Sequence, residues 1–452
     1  MEIGYRFHVR LSVWVSLLFI FSACKKDGPE PDYPAGSDEY INDWILDTMQ
    51  VYYYWNSSLP KSPDLFKAPL DFFATLKNSQ DRFSRIYNTS IAESYYPSPV
   101  QNFGFELILY DKGNGNIQTT VALVVPNSQA QHARLQRGQA INSINGTVPT
   151  EYNIQGLIRT AVTARTMSLD IAGLEPITLA GTTISENSVY LYKVFDQASR
   201  PTGYLFYNSF DGRYRNNLLQ AFASFKQAGV SELIIDLRYN AGGDVGVCAA
   251  LAAALSTVTE NDYFLEYRGN SRAGTRKETF AKTISKTYSG TPFSFAEIQQ
   301  MRLSLDRVFI LTGGHTASAA EFLVKSLRPW TEVIQIGETT LGKDMASFSI
   351  RDGNTGKNNA WSIEPMVFKL YNASGEGDYP TGLVPDVIKQ ELSKPLLPLG
   401  DPNDPLISEA LARISGRSNR ASSSTKTEEV TPRILYDSRE AADRNTNFIV
   451  KP

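Results

Sequence analysis

The strongest constraint on the fold is an alternation that runs from about residue 188 to residue 400. Short apolar runs, rich in β-branched and aromatic residues, are separated by stretches with helical spacing. SVYLYKVF (188–195), GYLFYNSF (203–210), ELIIDLRY (232–239), RVFILTG (307–313) and EVIQIGE (332–338) read as strands. LLQAFASFKQAG (218–229) and VCAALAAALS (247–256) read as helices. A chain that alternates in this way builds an α/β body on a partly parallel sheet, and such sheets carry their functional residues in the turns at strand ends. Three of these turns stand out: DLRYNAGGD (236–244), GGHTASAAE (313–321) and GETTLGK (337–343).

The preceding segments have other patterns. Over residues 38–97 the spacing of Tyr40, Ile41, Trp44, Ile45 and Met49, continued by Leu70, Phe72, Phe73 and Leu76, predicts a small helical cap punctuated by Pro60, Pro63 and Pro69. Residues 98–177 turn β-rich: FGFELILY (103–110) and VALVV (121–125) flank a GNGN turn, and a short helix, a Gly turn, a strand and Asn145-Gly146 come after them. That order resembles a PDZ domain. The resemblance implies that a peptide adds as a strand to an open sheet edge, with the loop at Phe103, Gly104 and Phe105 taking a substrate's tail. A small β-rich domain that binds nothing is the plainer alternative. The α/β body is expected over 188–416. Residues 417–452, poor in apolar side chains, are expected to be disordered.

At the amino terminus, residues 5–10 carry two arginines and an apolar run extends from Leu11 to Ala23. Thirteen helical residues span about 20 Å, short of the roughly 30 Å of a bilayer core, so residues 1–23 read as a secretory signal. The run ends in Phe21-Ser22-Ala23-Cys24, which resembles the box at which bacterial lipoproteins are cleaved and lipidated on the cysteine. A polar, Pro- and Gly-containing tether (24–37) comes next. The expectation is a protein of the bacterial cell envelope, facing the periplasm or the outer surface and held to a membrane through Cys24.

Charge and composition then narrow the chemistry. Lys and Arg number 44 against 47 Asp and Glu, a net charge of −3, which argues against a nucleic-acid partner. Two cysteines, Cys24 and Cys248, build no disulfide framework and no thiolate zinc cluster, and no metal or cofactor is expected. Cys248, in an Ala-rich helix, reads as a core thiol. Ser318 stands where a strand gives way to a helix, with free N–H groups around its hydroxyl and the Ala319 N–H placed to meet an oxyanion. Ser318-Ala-Ala-Glu321 is equally a capping box, and on this segment alone the cap is the simpler reading. Gly337-x-x-x-x-Gly342-Lys343 approaches a phosphate-binding loop. However, residue 344 is Asp, and MASFSIRD beyond it alternates as a strand where such a loop must open a helix, so no nucleotide is expected.

A serine nucleophile needs a base. His8 falls in the signal, His132 in the PDZ-like segment, and His315 lies only three residues before Ser318 in the same turn. Lysine is the remaining known base. A free lysine is neutral in about one molecule in 2,500 at pH 7, so Lys343 would have to be desolvated, with Glu338 and Asp344 turned away from it. Asn-Ala-Gly-Gly (240–243) lets backbone approach closely and can complete an oxyanion hole with Ala319. Asp236 and Arg238 read as braces of that turn.

Together, DLRYNAGG (236–243), TASAAE (316–321) and GETTLGK (337–343) resemble the S41 family of serine peptidases, the C-terminal-processing or tail-specific proteases. DRFS (81–84), YPTGLVPD (379–386) and the spacing of 25 positions from Ser318 to Lys343 extend the resemblance over roughly 40–410. It implies an S41-type (ClpP/crotonase-like) α/β protease core with an N-terminal helical cap and a PDZ-like domain. It also implies a Ser318 nucleophile, a Lys343 base, an oxyanion hole from the N–H of Gly243 or Gly242 and of Ala319, and protein or peptide substrates. Where many members carry Gln four residues after the lysine, this chain has Ser347, which could orient Lys343. A catalytically silent peptide-binding lipoprotein on the same fold is the alternative.

Overall fold

The structure is a computed structural model that describes residues 33–90, 98–113, 115–196, 200–303, 305–352, 360–416 and 432–440. The signal, Cys24 and the first part of the tether lie outside these residues.

The N-terminal unit pairs α1 (Asp38–Tyr52) with α2 (Pro69–Leu76). Ser37 caps α1 with its hydroxyl on the Tyr40 N–H, and Asp38 and Glu39 sit at the positive end of the helix. Ile41, Ile45 and Met49 face Phe72, Phe73 and Leu76. The unit is not helical throughout, as its spacing predicts. Arg85–Asn88 (β1) is a strand, and its partner is far along the chain.

The next unit opens with the short α3 (Pro99–Phe103) and folds β2 (Phe105–Asp111), β3 (Ile117–Val124), α4 (Gln129–His132), β4 (Ala140–Ile144), α5 (Ile154–Ala164), β5 (Thr166–Ile171) and β6 (Ile177–Ala180) into an antiparallel sheet. Ile154, Ile158 and Ala161 of α5 close its core against Phe105, Leu107 and Leu169.

The large unit begins with β7 (Val189–Phe195), β8 (Thr202–Tyr207), α6 (Arg215–Gln227), β9 (Glu232–Asp236) and α7 (Val245–Ala254). An insertion comes next: β10 (Tyr263–Arg268), β11 (Thr275–Thr279), α8 (Phe280–Ser285) and α9 (Phe295–Met301). The chain then returns through β12 (Arg307–Thr312), α10 (Ala319–Leu327) and β13 (Glu332–Gly337). Short strands β14 (Met345–Ala346), β15 (Ile350–Arg351), β16 (Trp361–Glu364), β17 (Phe368–Asn372) and β18 (Val387–Ile388) lead to α11 (Pro405–Ile414). The sheet order is β18-β13-β12-β9-β8-β7, parallel except for β7 at one edge. Every residue of α7 is buried, as expected of a helix that is apolar all round, and Cys248 is among them.

The register of the parallel sheet brings the marked turns together. Phe206 stands beside Asp236, Asp236 beside Leu311, and Thr312 beside Gly337. The three turns therefore leave the sheet side by side at the carboxyl ends of β9, β12 and β13, where open parallel sheets place their sites.

The carboxy-terminal stretch departs from expectation. Arg433–Asp437 (β19), within the segment whose composition predicts disorder, is a strand. It pairs antiparallel with β2 and completes the order β19-β2-β3-β4-β5-β6. Three apolar residues, Ile434, Leu435 and Tyr436, in polar surroundings are too few to register in composition, and only the edge of β2 gives the strand a partner.

Candidate active site

The three turns are laced together by backbone. The Ala317 N–H donates to the Asn240 carbonyl at 3.0 Å, the Leu341 N–H to the Thr316 carbonyl at 3.0 Å, and the Glu338 N–H to the Thr312 carbonyl at 3.0 Å. The Thr316 hydroxyl reaches the Leu237 carbonyl at 2.8 Å. The first turn presses on Ser318 so closely that a Cβ at Gly242 would lie 2.6 Å from the serine Cβ, and Gly242 has φ +104°. Only glycine meets both demands.

Ser318 sits at the mouth of α10 with φ 60° and ψ −119°, a conformation a non-glycine residue holds only when its surroundings enforce it. The enforcing group is Glu321, fully buried. Its Oε2 accepts the N–H of Ser318 and the N–H of Lys343, each at 2.8 Å. Its Oε1 accepts the Gly342 N–H at 2.7 Å and the Thr340 hydroxyl at 2.5 Å. Burial pushes this carboxyl above its ordinary range, opposed by these same hydrogen bonds. One oxygen thus ties the backbone of Ser318 to that of Lys343. The Ser318 hydroxyl is not acting as a cap: its Oγ is buried and makes no hydrogen bond.

Lys343 is 4% exposed. Its Nζ lies 5.6 Å from the centre of the Phe83 ring, and the loop bearing Phe83 is fastened from both sides. Arg82 donates to the carbonyls of Leu341 and Pro380 at 3.2 and 3.0 Å. Asp81 accepts the Tyr53 hydroxyl and the N–H groups of Phe83 and Ser84. The neighbouring acids face elsewhere: Asp344 is 3.7 Å from the Lys369 Nζ, and Glu338 accepts the Glu391 N–H. His315 also turns away, its Nε2 2.9 Å from Asp437. Ser347 is fully buried, four residues beyond Lys343.

The two glycines of the first turn differ. The Gly242 N–H donates to Asn240 Oδ1 at 2.8 Å and is not available to a substrate. Among the described residues, no hydrogen bond is made by the N–H of Gly243 or of Ala319. A cavity of about 1020 Å³ reaches Gly242 and Gly243 and extends to Glu106 of β2 and to Arg439. Asp236 and Arg238 brace the turn: the fully buried guanidinium of Arg238 contacts Asp236, Asp404 and Glu391.

Phe103, Gly104 and Phe105 do not form an open tail-binding loop. Both phenylalanine side chains are fully buried in the core of the antiparallel sheet. The Gly104 N–H is taken by the carbonyls of Pro99 and Val100 at the end of α3. Sequence reasoning also missed two contributions. Glu321 reads as a cap because its other donors lie about twenty positions on, and Phe83 lies in the helical cap, with no local sign of what it covers.

Residues 201–388 match the model of Peptidase family S41, and residues 40–85 match that of the Peptidase S41 N-terminal domain. The two span just over half of the chain. A carboxyl-terminal-processing peptidase 1 of Arabidopsis thaliana chloroplasts is 23% identical, over 79% of this chain and 73% of its own. The carboxy-terminal processing protease CtpA of Bacillus subtilis (strain 168) is 25% identical over 59% of this chain and 52% of its own. Among solved structures, a protein of Bacteroides fragilis NCTC 9343 assigned to the S41 proteases superposes with a TM-score of 0.69. It is 27% identical, covering 86% of this chain and all of that one.

Proposed function

From the premise that the chain belongs to peptidase family S41, we propose that it hydrolyses peptide bonds of extracytoplasmic proteins through Ser318 and Lys343. The observation that carries this reading is the Glu321 clamp. It holds the two residues by one carboxylate oxygen while the Ser318 hydroxyl stays buried and without a hydrogen-bond partner. Lys343, dry beneath Phe83, takes the hydroxyl proton as Oγ attacks the scissile carbonyl. The N–H groups of Gly243 and Ala319 receive the oxyanion, and Gly242 shapes the turn without donating. The Lys343 ammonium then returns the proton to the leaving amine. Water, deprotonated by the same lysine, hydrolyses the Ser318 ester and restores the hydroxyl. Ser347 orients the amine.

The cavity bounded by Gly243 and by β2 leads the substrate chain in, and the antiparallel sheet is the unit that holds a substrate's tail on a strand edge in PDZ fashion. The basic start, the thirteen-residue apolar run and the small residues before Cys24 support lipidation at Cys24 and a place in the bacterial envelope. No described helix is long and apolar enough to cross a membrane.

One set of variants tests these assignments. Ser318→Ala and Lys343→Ala should each abolish cleavage of unfolded casein while leaving the melting transition in place. Cys24→Ala should lose incorporation of labelled fatty acid and the membrane fraction. Unchanged cleavage in either site variant overturns the dyad, and cleavage absent from the wild type as well leaves a peptide-binding lipoprotein on this fold.

A further inference from the structure

Without β19, β2 would be the open edge of the antiparallel sheet, since its other side is paired with β3. That edge is filled by the chain itself. Arg433 stands opposite Asp111 and Asp437 opposite Ile108, so the segment runs toward the start of β2. Past the strand, the Ser438 N–H donates to the Leu107 carbonyl at 3.0 Å, the Leu107 N–H donates to the Ser438 hydroxyl at 2.9 Å, and that hydroxyl donates to the buried Glu106. Leu435 and Tyr436 pack on the core that α5 shares with Phe105 and Leu107. Arg439, the next residue on, lines the same cavity as Gly242 and Gly243. The strand therefore fills the edge of β2, and the turn that ends it at Ser438 carries the chain into the wall of the cavity at Arg439.

We propose that residues 433–438 act as an internal competitor, occupying the edge of β2 that an extended substrate tail must take, so that substrate enters only by displacing them. This rests on the reading of the sheet as the tail-holding unit. The contacts that define the occupant also define the class of substrate tail that displaces it: an extended peptide with two adjacent bulky apolar residues and, after one intervening residue, a small hydroxyl residue that can reach Leu107 and Glu106. The segment is also tied to the reactive turn through Asp437 and His315, so displacement releases a contact three residues from Ser318.

A tethered segment competes at an effective concentration of about 1 mM, so one with an intrinsic dissociation constant of about 100 µM is docked in roughly ten molecules of eleven. The probe is a fluorescent peptide, Arg-Ile-Leu-Tyr-Asp-Ser-Arg, read by anisotropy in a Ser318→Ala background, so that binding is measured without turnover. A chain ending at residue 431 should bind it about tenfold more tightly than the full chain. With Ser318 restored, that shortened chain should cleave casein about tenfold faster at low substrate. Ser438→Ala in the full chain should bind the peptide at an intermediate strength. If the shortened chain melts normally and binds the peptide no better than the full chain, the proposal is overturned. Should the shortened chain not fold, equal binding by the full chain with and without Ser438→Ala overturns it. Tighter binding without casein cleavage in any chain instead removes the catalytic assignment and leaves the competitor in place.

Discussion

Glu321 shows what a single residue does here. A carboxylate that accepts two hydrogen bonds on each oxygen is held rigidly, and everything it holds belongs to the site. The string Ser-Ala-Ala-Glu is a capping signal on any reading of the sequence, and half of that reading survives, because Glu321 does reach back to the Ser318 N–H. Its other donors are supplied by tertiary packing and leave no trace near position 321. Gly242 is the opposite case, legible in the sequence as a glycine where backbone comes close. Gly242→Ala would force a Cβ to within 2.6 Å of the serine Cβ at φ +104°. Either the turn or Ser318 must shift, and a displacement of about 1 Å at a reacting centre costs on the order of a hundredfold in rate. The expected outcome is about a hundredfold loss of casein cleavage with the far-ultraviolet spectrum unchanged. Gly229→Ala, at φ +64° with open space around it, should leave cleavage within about twofold. Initial rates of the two variants, measured side by side, check the contrast.

At the scale of elements, the sequence is most legible where the period is long and the burial one-sided. Strands β7, β8, β9, β12 and β13 and the helices α6 and α7 fall where the apolar runs place them. The pieces that escape are two to five residues long: β1, β18 and β19 have no period to read, and each exists because a distant edge accepts it. β19 also changes the electrostatics of its partner strand. With the segment docked, Glu106 is 2% exposed, and burial pushes its carboxyl up to about 8, against hydrogen bonds from Ser438 and Ser98 and with Glu186 adding to the rise. A raised acid means that the folded state holds a proton the unfolded state releases. The stability it carries is full below about pH 4.5 and is lost as pH rises toward 8. Asp437 and Glu391, held low by neighbouring arginines despite burial, titrate below this window. Glu186, also raised by burial, titrates in the same sense as Glu106. The melting temperature should therefore fall between about pH 5 and about pH 8, and Glu106→Gln should flatten that fall without removing it. Calorimetry of both proteins across that range checks the sign, and an identical slope would mean that Glu106 is not the group responsible.

At the scale of the molecule, the question is what makes the three units work as one. A buried network answers it. Arg137 of the antiparallel sheet unit, Arg238 and Tyr239 of the parallel-sheet unit, and Glu391 and Asp404 near α11 form a chain of ion pairs and hydrogen bonds, and Arg439 of the terminal segment, paired with Asp437, joins it by lying over the Tyr239 ring. That chain ends on His315. Glu391 stands at the crossing: burial raises its carboxyl, but Arg137, Arg238 and Arg439 outweigh that and hold it at about 2. Apart from Arg238, which reads as a brace of its turn, the members are not legible in the sequence, because they are scattered from position 137 to position 439 and none alone signals a buried partner. Removing one partner from a buried pair strands the other and costs about 3–5 kcal/mol. Arg137 is the network's foothold in the antiparallel sheet unit; Arg137→Ala leaves Glu391 paired with Arg238 and Tyr239 and so costs less than that, but it weakens that unit's hold on the rest while leaving its own apolar core intact. The wild type should unfold in a single calorimetric transition. Arg137→Ala should separate an early transition, belonging to residues 98–180, from a later one belonging to the peptidase core. A variant that melts in one transition at an unchanged temperature would mean that the apolar contacts between the units suffice without the charges. In that case the network's remaining role is to set the position of Asp437 and, through it, of the His315 turn.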